Sequence, residues 1–252
     1  MTGWLVVDIG NTRVKWATVD DQGRLGSQQA GGHEHWNVDD WEGALFATPG
    51  IERVAAASVA GSASKRALVE AAARRGVTDV RFVASTAESC GVRNAYQDAS
   101  LLGVDRWAAV IGAYQLWGAC CVADVGTAAT VDAVTAEGRH LGGFIVPGPH
   151  LMVRSLLTQT SDLAAHSAAS RSGRTADFAD NTRAAIERGC RVALAALVDR
   201  AHADLERATG ATAALVLTGG AATDVLPYVL ARVEHVPDLV LHGVARLARA
   251  GP

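Results

Sequence analysis

The chain has 252 residues, which is enough for one large domain or for two domains of ordinary size. Hydrophobic residues make up 49% of it and charged residues 19%, a composition that supports a buried core and excludes an intrinsically disordered chain. The net charge is −3 and both signs are mixed along the sequence, which excludes the basic footprint of a nucleic-acid-binding protein.

The sequence has no feature of a secreted or membrane protein. Its first ten residues contain no Lys or Arg and reach Asp8 after a short apolar run, unlike a signal peptide. The apolar run at 107–123 is interrupted by Gln115 and Gly118, so we predict a buried helix leading into a buried strand and no membrane span. The 4 cysteines form no C-x-x-C pair, which favours a reduced, cytoplasmic protein.

Short apolar runs separated by turn residues dominate the first half of the chain. The pattern predicts strands at 4–9, 14–19, 53–59 and 80–83, and helices at 62–75 and 105–117. Because Gly10-Asn11-Thr12 separates the first two strands, we expect these strands to form a hairpin.

The second half repeats this beginning and then becomes rich in helix. The pattern predicts strands at 120–125, 129–134 and 214–220, the glycine-rich segment 141–148 after the second hairpin, and helices at 180–208 and 238–249. Small and polar residues at 163–177 predict a variable surface loop.

The two halves share an internal echo. Val-Asp-Ile-Gly-Asn-Thr at 7–12 is answered by Ala-Asp-Val-Gly-Thr-Ala at 123–128, and each stretch ends an apolar strand that turns back as a hairpin. We therefore predict two similarly built halves, 1–117 and 118–252, with a ligand cleft between them.

The first of these turns suits phosphate binding. Gly10 lets the backbone approach a ligand closely, and turn N–H groups together with the Thr12 hydroxyl can donate to phosphate oxygens. Asp8 at the strand end can hold Mg²⁺ through water, and Lys15 can supply a compact positive charge. The alternative is that Asn11 and Thr12 merely make an ordinary hairpin turn.

The second copy, D-V-G-T-A-A-T at 124–130, favours phosphate binding over an ordinary turn, because two facing hairpins can hold one triphosphate from both sides. A third glycine element at 217–222 follows a strand and opens a helix, where small residues would let adenine and ribose lie against the backbone. Paired glycines also close strands for local reasons, so this element is weak by itself. The chain has no P-loop pattern, and no G-x-G-x-x-G follows the first strand.

Asp105 and Arg106 lie side by side just before an apolar helix. They can serve as a base for a substrate hydroxyl and as an anion clamp. Equally, Asp105 can be an acidic residue that stabilises the start of a helix, with Arg106 as its solvated neighbour. His33 and His35 form an isolated H-x-H without a partner motif, so we predict no metal site there.

Taken in order, these motifs resemble the type III pantothenate kinases, also described as Bvg accessory factor homologues, of the acetate kinase, sugar kinase, Hsp70 and actin superfamily. The resemblance runs along nearly the whole chain. It consists of D-I-G-N-T-R-V-K at 8–15, Tyr96 followed by L-G-V-D-R at 102–106, D-V-G-T-A-A-T-V-D at 124–132, G-G-F-I-V-P-G at 142–148, and Asn181-Thr182 at the start of the long helix.

The resemblance implies an α/β fold of two ribonuclease-H-like, actin-like ATPase halves with a central ATP cleft. It also implies ATP-dependent phosphorylation of pantothenate to 4′-phosphopantothenate, the first step of coenzyme A synthesis, by a homodimer. The ATP-binding residues would be Asp8, Ile9, Gly10, Asn11, Thr12, Arg13, Val14, Lys15, Thr127 and Thr130. The pantothenate-binding residues would be Tyr96, Gly103, Val104, Asp105 and Arg106, with Asp105 as proton acceptor, and Thr182 from the partner subunit. Asp124 would help to bind a monovalent cation, K⁺ or NH₄⁺.

Three other functions remain open at this stage. The protein could be another small-molecule kinase of the superfamily, such as a sugar kinase. It could be an ATPase that uses closure of its cleft mechanically, although such proteins usually need a larger chain. It could also be a non-enzymatic regulatory factor. The presence of Asp105 and of both hairpins argues against that function.

Overall fold

The computed structural model describes residues 3–159 and 178–251. In chain order the strands are β1 Gly3–Ile9, β2 Arg13–Val19, β3 Gln29–Gly32, β4 Ile51–Ser58, β5 Asp79–Phe82, β6 Glu88–Ser89, β7 Val92–Arg93, β8 Cys120–Val125, β9 Ala128–Val134, β10 His140–Pro147, β11 Ala214–Thr218 and β12 Val233–His235. The α-helices are α1 Val38–Leu45, α2 Ser62–Arg74, α3 Val104–Trp117, α4 Pro149–Gln159, α5 Thr182–Thr209, α6 Ala222–Val225 and α7 Leu239–Ala250.

The chain divides into two compact units. The first unit comprises 1–118, 136–142 and 238–252, and the second comprises 119–135 and 143–237. The domain boundaries that the sequence suggests, 1–117 and 118–252, stay a prediction. Relative to them, the first unit also includes α7 and the segment 136–142, which contains the first residues of β10.

Each unit is built on a five-stranded mixed sheet. The strand order is β3-β2-β1-β4-β5 in the first unit and β10-β9-β8-β11-β12 in the second, so the two sheets have the same arrangement. In the first sheet β1 pairs antiparallel with β2 and parallel with β4. In the second sheet β8 pairs antiparallel with β9 and parallel with β11. The internal echo in the sequence therefore reflects a repeated sheet.

The first sheet is covered on both faces. Leu5 and Val7 of β1 belong to a core that includes Trp41 of α1 and Leu68 of α2. On the other face, α7 contacts β1, β2 and β4, and α3 contacts β4. Since β1 is buried on both faces, its sequence is a nearly continuous apolar run with no polar alternation.

The second sheet packs against α5. Alternate residues of β8, such as Cys121 and Ala123, contact a core that includes Leu194 and Val198 of the helix and Leu217 of β11. The α5 helix has 28 residues, and its alanines allow close packing against the sheet. Its start at Thr182 and its end at Thr209 agree closely with the predicted helix at 180–208.

The longer predicted elements are confirmed. The apolar run at 107–123 divides into most of α3 and the start of β8, as predicted. No helix in the described parts of the chain has both the length and the hydrophobicity that crossing a bilayer requires. The predictions did not include β3, α1, the β6–β7 pair, α4 or β12. The predicted loop at 163–177 lies outside the described residues.

Candidate functional site

The turn after β1 carries most of the predicted phosphate-binding residues. Asp8 lies opposite Lys15 in the β1–β2 ladder, and the ladder ends at the pair Ile9 and Val14. Four residues, Gly10 to Arg13, make the turn, and the Gly10 N–H donates to the Arg13 carbonyl at 2.9 Å. Asn11 and Arg13 are exposed, Thr12 and Lys15 are half-buried, and Asp8 is buried. The turn therefore presents polar groups to solvent from a buried strand end.

Hydrogen bonds from two other segments of the chain also hold this turn. The Val59 N–H, just after β4, donates to the Ile9 carbonyl at 3.0 Å. The imidazole of His33, just after β3, has its Nε2 at 2.7 Å from the Gly10 carbonyl oxygen. Because a carbonyl only accepts, Nε2 must carry the proton. His33 is thus a structural partner of the turn, which the isolated H-x-H pattern did not reveal.

The turn after β8 is the counterpart in the second unit. Asp124 lies opposite Thr130, and the ladder ends at the pair Val125 and Ala129. The Gly126 N–H donates to the Ala128 carbonyl at 3.0 Å, so this turn is one residue shorter than the first. Thr127 is exposed, while Asp124 and Thr130 are half-buried. Three predicted ligand-binding residues are thus brought to one strand end.

Backbone from two other segments packs directly against the second turn. The Gly148 N–H donates to the Thr127 carbonyl at 2.9 Å, and a Cβ on Gly148 would lie 2.0 Å from the Gly126 carbonyl oxygen. Gly219 has φ +97°, and a Cβ there would lie 2.4 Å from Asp124 Oδ1. These approaches explain both glycines without a ligand, and contact of 217–222 with adenosine stays a prediction.

The predicted substrate motif lies at the start of α3, in the first unit. Gly103 precedes the helix, and the Arg106 backbone N–H donates to Asp105 Oδ1 at 2.7 Å. The Arg106 side chain is buried, and its Nη1 donates to the Tyr96 hydroxyl at 3.1 Å. Val104 is the first residue of the helix. The structure therefore groups Tyr96 with 103–106, and it also gives Asp105 the helix-start role that the sequence left open.

Thr182 is the first residue of α5, in the second unit, and is half-buried. The helix begins there because Asn181 caps it: the Asn181 side-chain oxygen accepts from the Ala184 N–H at 2.9 Å. This cap explains the Asn-Thr motif in local terms. The predicted contact of Thr182 with a substrate on a partner subunit stays a prediction.

The acidic residues of the two turns do not form a multi-carboxylate metal site. Within 3–159 and 178–251, no group of three or more His, Cys, Asp or Glu side chains is arranged to hold a metal ion. A single carboxylate at the end of β1, that of Asp8, suits Mg²⁺ bound mainly by phosphate oxygens and water, which is how nucleotide enzymes usually hold it. Asp8 and Asp124 remain the candidates for Mg²⁺ and for a monovalent cation.

Comparison with known proteins gives the family. The model of the type III pantothenate kinase family matches residues 4–204. A type III pantothenate kinase of Azoarcus sp. (strain BH72) is 38% identical over 98% of this chain and 90% of its own length. One from Aromatoleum aromaticum is also 38% identical, over 97% of both chains. The chain belongs to the type III pantothenate kinase family.

Solved structures of other proteins have a similar fold. A Baf family protein from Campylobacter jejuni has a TM-score of 0.56 at 20% identity, over 97% of each chain. A ROK family glucokinase from Streptomyces griseus has a TM-score of 0.53 at 17% identity, over 99% of this chain and all of its own. These likenesses confirm the predicted α/β fold of the actin-like class.

The type III pantothenate kinase motifs thus lie at four places in the structure. The first turn and the start of α3 are in the first unit, while the second turn and the start of α5 belong to the second unit. Sequence reasoning missed His33 and the packing role of Gly148, because both act through residues that are distant in sequence.

Proposed function

We propose that this protein transfers the γ-phosphoryl group of ATP to the primary hydroxyl of pantothenate and releases 4′-phosphopantothenate, at the first step of coenzyme A synthesis. The observation that carries the proposal is membership of the type III pantothenate kinase family over 4–204. The two turns and the Tyr96–Arg106 pair support it, because the residues that the chemistry needs are all present.

We propose that the two turns bind the triphosphate. The first turn has exposed residues at Asn11 and Arg13. Its backbone N–H groups and the Thr12 hydroxyl would donate to phosphate oxygens, and Lys15 would add positive charge. Thr127 and Thr130 would do the same from the second turn. Mg²⁺ near Asp8 would offset negative charge on the β and γ oxygens when it is bound. Phosphoryl transfer asks mainly for such positioning and electrostatic stabilisation.

Pantothenate has a hydroxyl at one end and a carboxylate at the other, and the α3 start offers a partner for each. Arg106 is buried, so its guanidinium is a strong anchor for a carboxylate, and the Tyr96 hydroxyl holds it in place. Asp105 has two carboxylate oxygens, of which Oδ1 accepts from the Arg106 N–H. We assign the carboxylate of Asp105 as the acceptor of the hydroxyl proton.

The test of this assignment is Asp105→Asn. The asparagine keeps a side-chain oxygen that can accept from the Arg106 N–H, so the helix start should survive and the melting temperature should change little. The proton acceptor is lost, and kcat should fall by about 10²–10⁴-fold, the usual contribution of a general base. Turnover of the variant above about half of the wild-type rate would leave Asp105 only its role at the helix start.

We further propose a homodimer in which Thr182 contacts the substrate bound by the partner subunit. Asp105→Asn and Thr182→Arg would each inactivate the enzyme alone. In a mixed dimer one site would carry both defects and the other neither, so random pairing should return about one quarter of wild-type activity. Co-refolding the two variants and assaying pantothenate phosphorylation measures this. No recovery, with mixed dimers verified by mass, would mean that each site is built from one chain.

We propose that the reaction takes place in the cytoplasm. Burial raises the pKa of the Cys120 thiol to about 12, and the pKa of the Cys121 thiol is raised by the same cause. These thiols are therefore protonated and unreactive at neutral pH, and the cysteines of the described residues are all free. A protein with free thiols suits a reducing compartment.

A further inference from the structure

His33 follows β3, the strand that pairs with β2, and contacts the first turn. In the β2–β3 ladder Arg13 pairs with Gly32, the last residue of β3, so the next residue, His33, emerges beside the turn. Its backbone N–H donates to the Thr12 carbonyl at 3.4 Å, and its Nε2 lies 2.7 Å from the Gly10 carbonyl oxygen. One residue therefore bonds to two carbonyls of the same four-residue turn.

Aromatic side chains restrict the His33 imidazole. His33 is 7% exposed, and its ring lies 5.3 Å from the ring of Trp41, which is fully buried. The Trp36 ring packs edge-on against the Trp41 ring with centroids 5.4 Å apart, and the Trp36 backbone N–H donates to the His33 carbonyl at 3.2 Å. The ring thus has little freedom, and its Nε2–H is aimed at one acceptor.

We propose that His33 is a positioning residue for nucleotide binding, which fixes the Gly10–Arg13 turn so that its N–H groups and the Thr12 hydroxyl face the phosphates. This inference rests on the proposed function, in which the Gly10–Arg13 turn binds ATP. The physical reason is the direction of the peptide groups: a carbonyl tied back to Nε2 fixes the plane of the peptide between Gly10 and Asn11. The N–H of that same peptide then points to the opposite side, which is the exposed side of the turn.

The alternative is that His33 only satisfies a carbonyl and fills space beside Trp41. The two readings differ in what a substitution changes. A purely structural residue would affect stability and all kinetic constants together. A positioning residue affects nucleotide affinity and leaves the pantothenate site at the start of α3 intact.

The test uses three variants. His33→Phe keeps a flat ring against Trp41 but has no donor for the Gly10 carbonyl. His33→Gln restores a side-chain N–H donor. His35→Phe is the matched control, because His35 is exposed and lies only two residues away. Affinity for the Mg²⁺ complex of AMPPNP is measured by titration calorimetry, and KM is measured separately for ATP and for pantothenate.

We expect His33→Phe to weaken AMPPNP binding and to raise KM for ATP by about 3- to 10-fold, the range that one net hydrogen bond provides. KM for pantothenate should stay at the wild-type value. His33→Gln should recover most of the loss, and His35→Phe should behave as wild type. Equal changes in both KM values that His33→Gln does not rescue would overturn the proposal, as would wild-type AMPPNP affinity in His33→Phe.

A spectroscopic measurement checks the geometry without catalysis. A long-range ¹H–¹⁵N spectrum of the wild-type protein should show the His33 ring protonated at Nε2, with an Nε2 proton that exchanges slowly with water. An unprotonated Nε2 would overturn the inference even if the protein is a kinase. Conversely, a wild-type protein that binds AMPPNP but phosphorylates no pantothenate would contradict the proposed function, while the spectrum and the AMPPNP titrations still decide the role of His33.

Discussion

The turns after β1 and β8 occupy the same place in two sheets of the same strand order, yet they are supported in different ways. A side chain supports the first turn, through the bond of His33 to the Gly10 carbonyl. Close backbone packing supports the second, where Gly148 and Gly219 leave no room for a Cβ. Similar hairpins can thus be fixed by a side-chain hydrogen bond or by closely packed backbone, and the two supports should fail under different substitutions.

Gly219→Ala should give the largest loss of stability, because its methyl group would clash with the strand end before the second turn. A Cβ would lie within 2.5 Å of Val125 N and O, and φ is +97°, where side chains are strained. We expect a loss of about 3 kcal/mol in the free energy of unfolding, and a lower melting temperature by roughly 5–10 °C. Chemical denaturation of the ligand-free protein measures it.

The matched control for this prediction is the neighbouring residue. A Cβ on Gly220 would meet nothing within 4 Å, and Gly220 has no positive φ that would strain a side chain. Gly220→Ala should therefore change the stability by less than about 1 kcal/mol. Equal losses in the two variants would show that the close approach of Gly219 to Asp124 and Val125 does not support the second turn.

The difference between the turns also marks what the sequence can reveal. β1, β2, β8 and β9 could be predicted because their apolar runs and turn residues are local signals. The start of α5 could be predicted because Asn181 caps it within one turn. β3 could not, since QAGG has no strand-forming character and exists through its pairing with β2.

The supports of the turns were harder still to predict. His33 contacts Gly10 across 23 positions of sequence, and nothing near His33 reports its partner. Gly148 likewise looks like a local turn glycine in P-G-P, although its lack of a Cβ leaves room for the Gly126 carbonyl oxygen. The motif residues of the candidate site could be named from the sequence, whereas the contacts that hold them required the fold.

The two strand-end carboxylates should respond to different cations. Asp8 is buried opposite Lys15, and we assign it to Mg²⁺; Asp124 is half-buried opposite Thr130, and we assign it to K⁺ or NH₄⁺. Asp124→Asn should raise the K⁺ concentration for half-maximal activity by about 10-fold, with an unchanged Mg²⁺ requirement, and Asp8→Asn should do the reverse.

The measurement is initial rate against K⁺ at saturating Mg²⁺, and against Mg²⁺ at saturating K⁺. Wild-type enzyme in Na⁺ or in a bulky organic cation provides the baseline for the K⁺ effect. Equal wild-type rates in all of these salts would remove the monovalent cation from the mechanism. If each variant changed the responses to both K⁺ and Mg²⁺, Asp8 and Asp124 would not bind separate cations.

The smallest effect is expected where the two turns are alike. A Cβ on Gly10 would lie 3.2 Å from the Arg13 carbonyl oxygen, and one on Gly126 would lie 3.3 Å from that of Ala128. Neither glycine has a positive φ, so an alanine at either position needs only a shift of a few tenths of an ångström. Gly10→Ala and Gly126→Ala should therefore each change stability by less than about 1 kcal/mol, and by similar amounts. Both N–H bonds across the turns can remain, since alanine keeps its backbone donor. Denaturation curves of the two variants measure this. If Gly126→Ala lowered the free energy of unfolding several times more than Gly10→Ala, the packing of Gly148 would constrain the whole second turn. The turn could not then move to accept the methyl group.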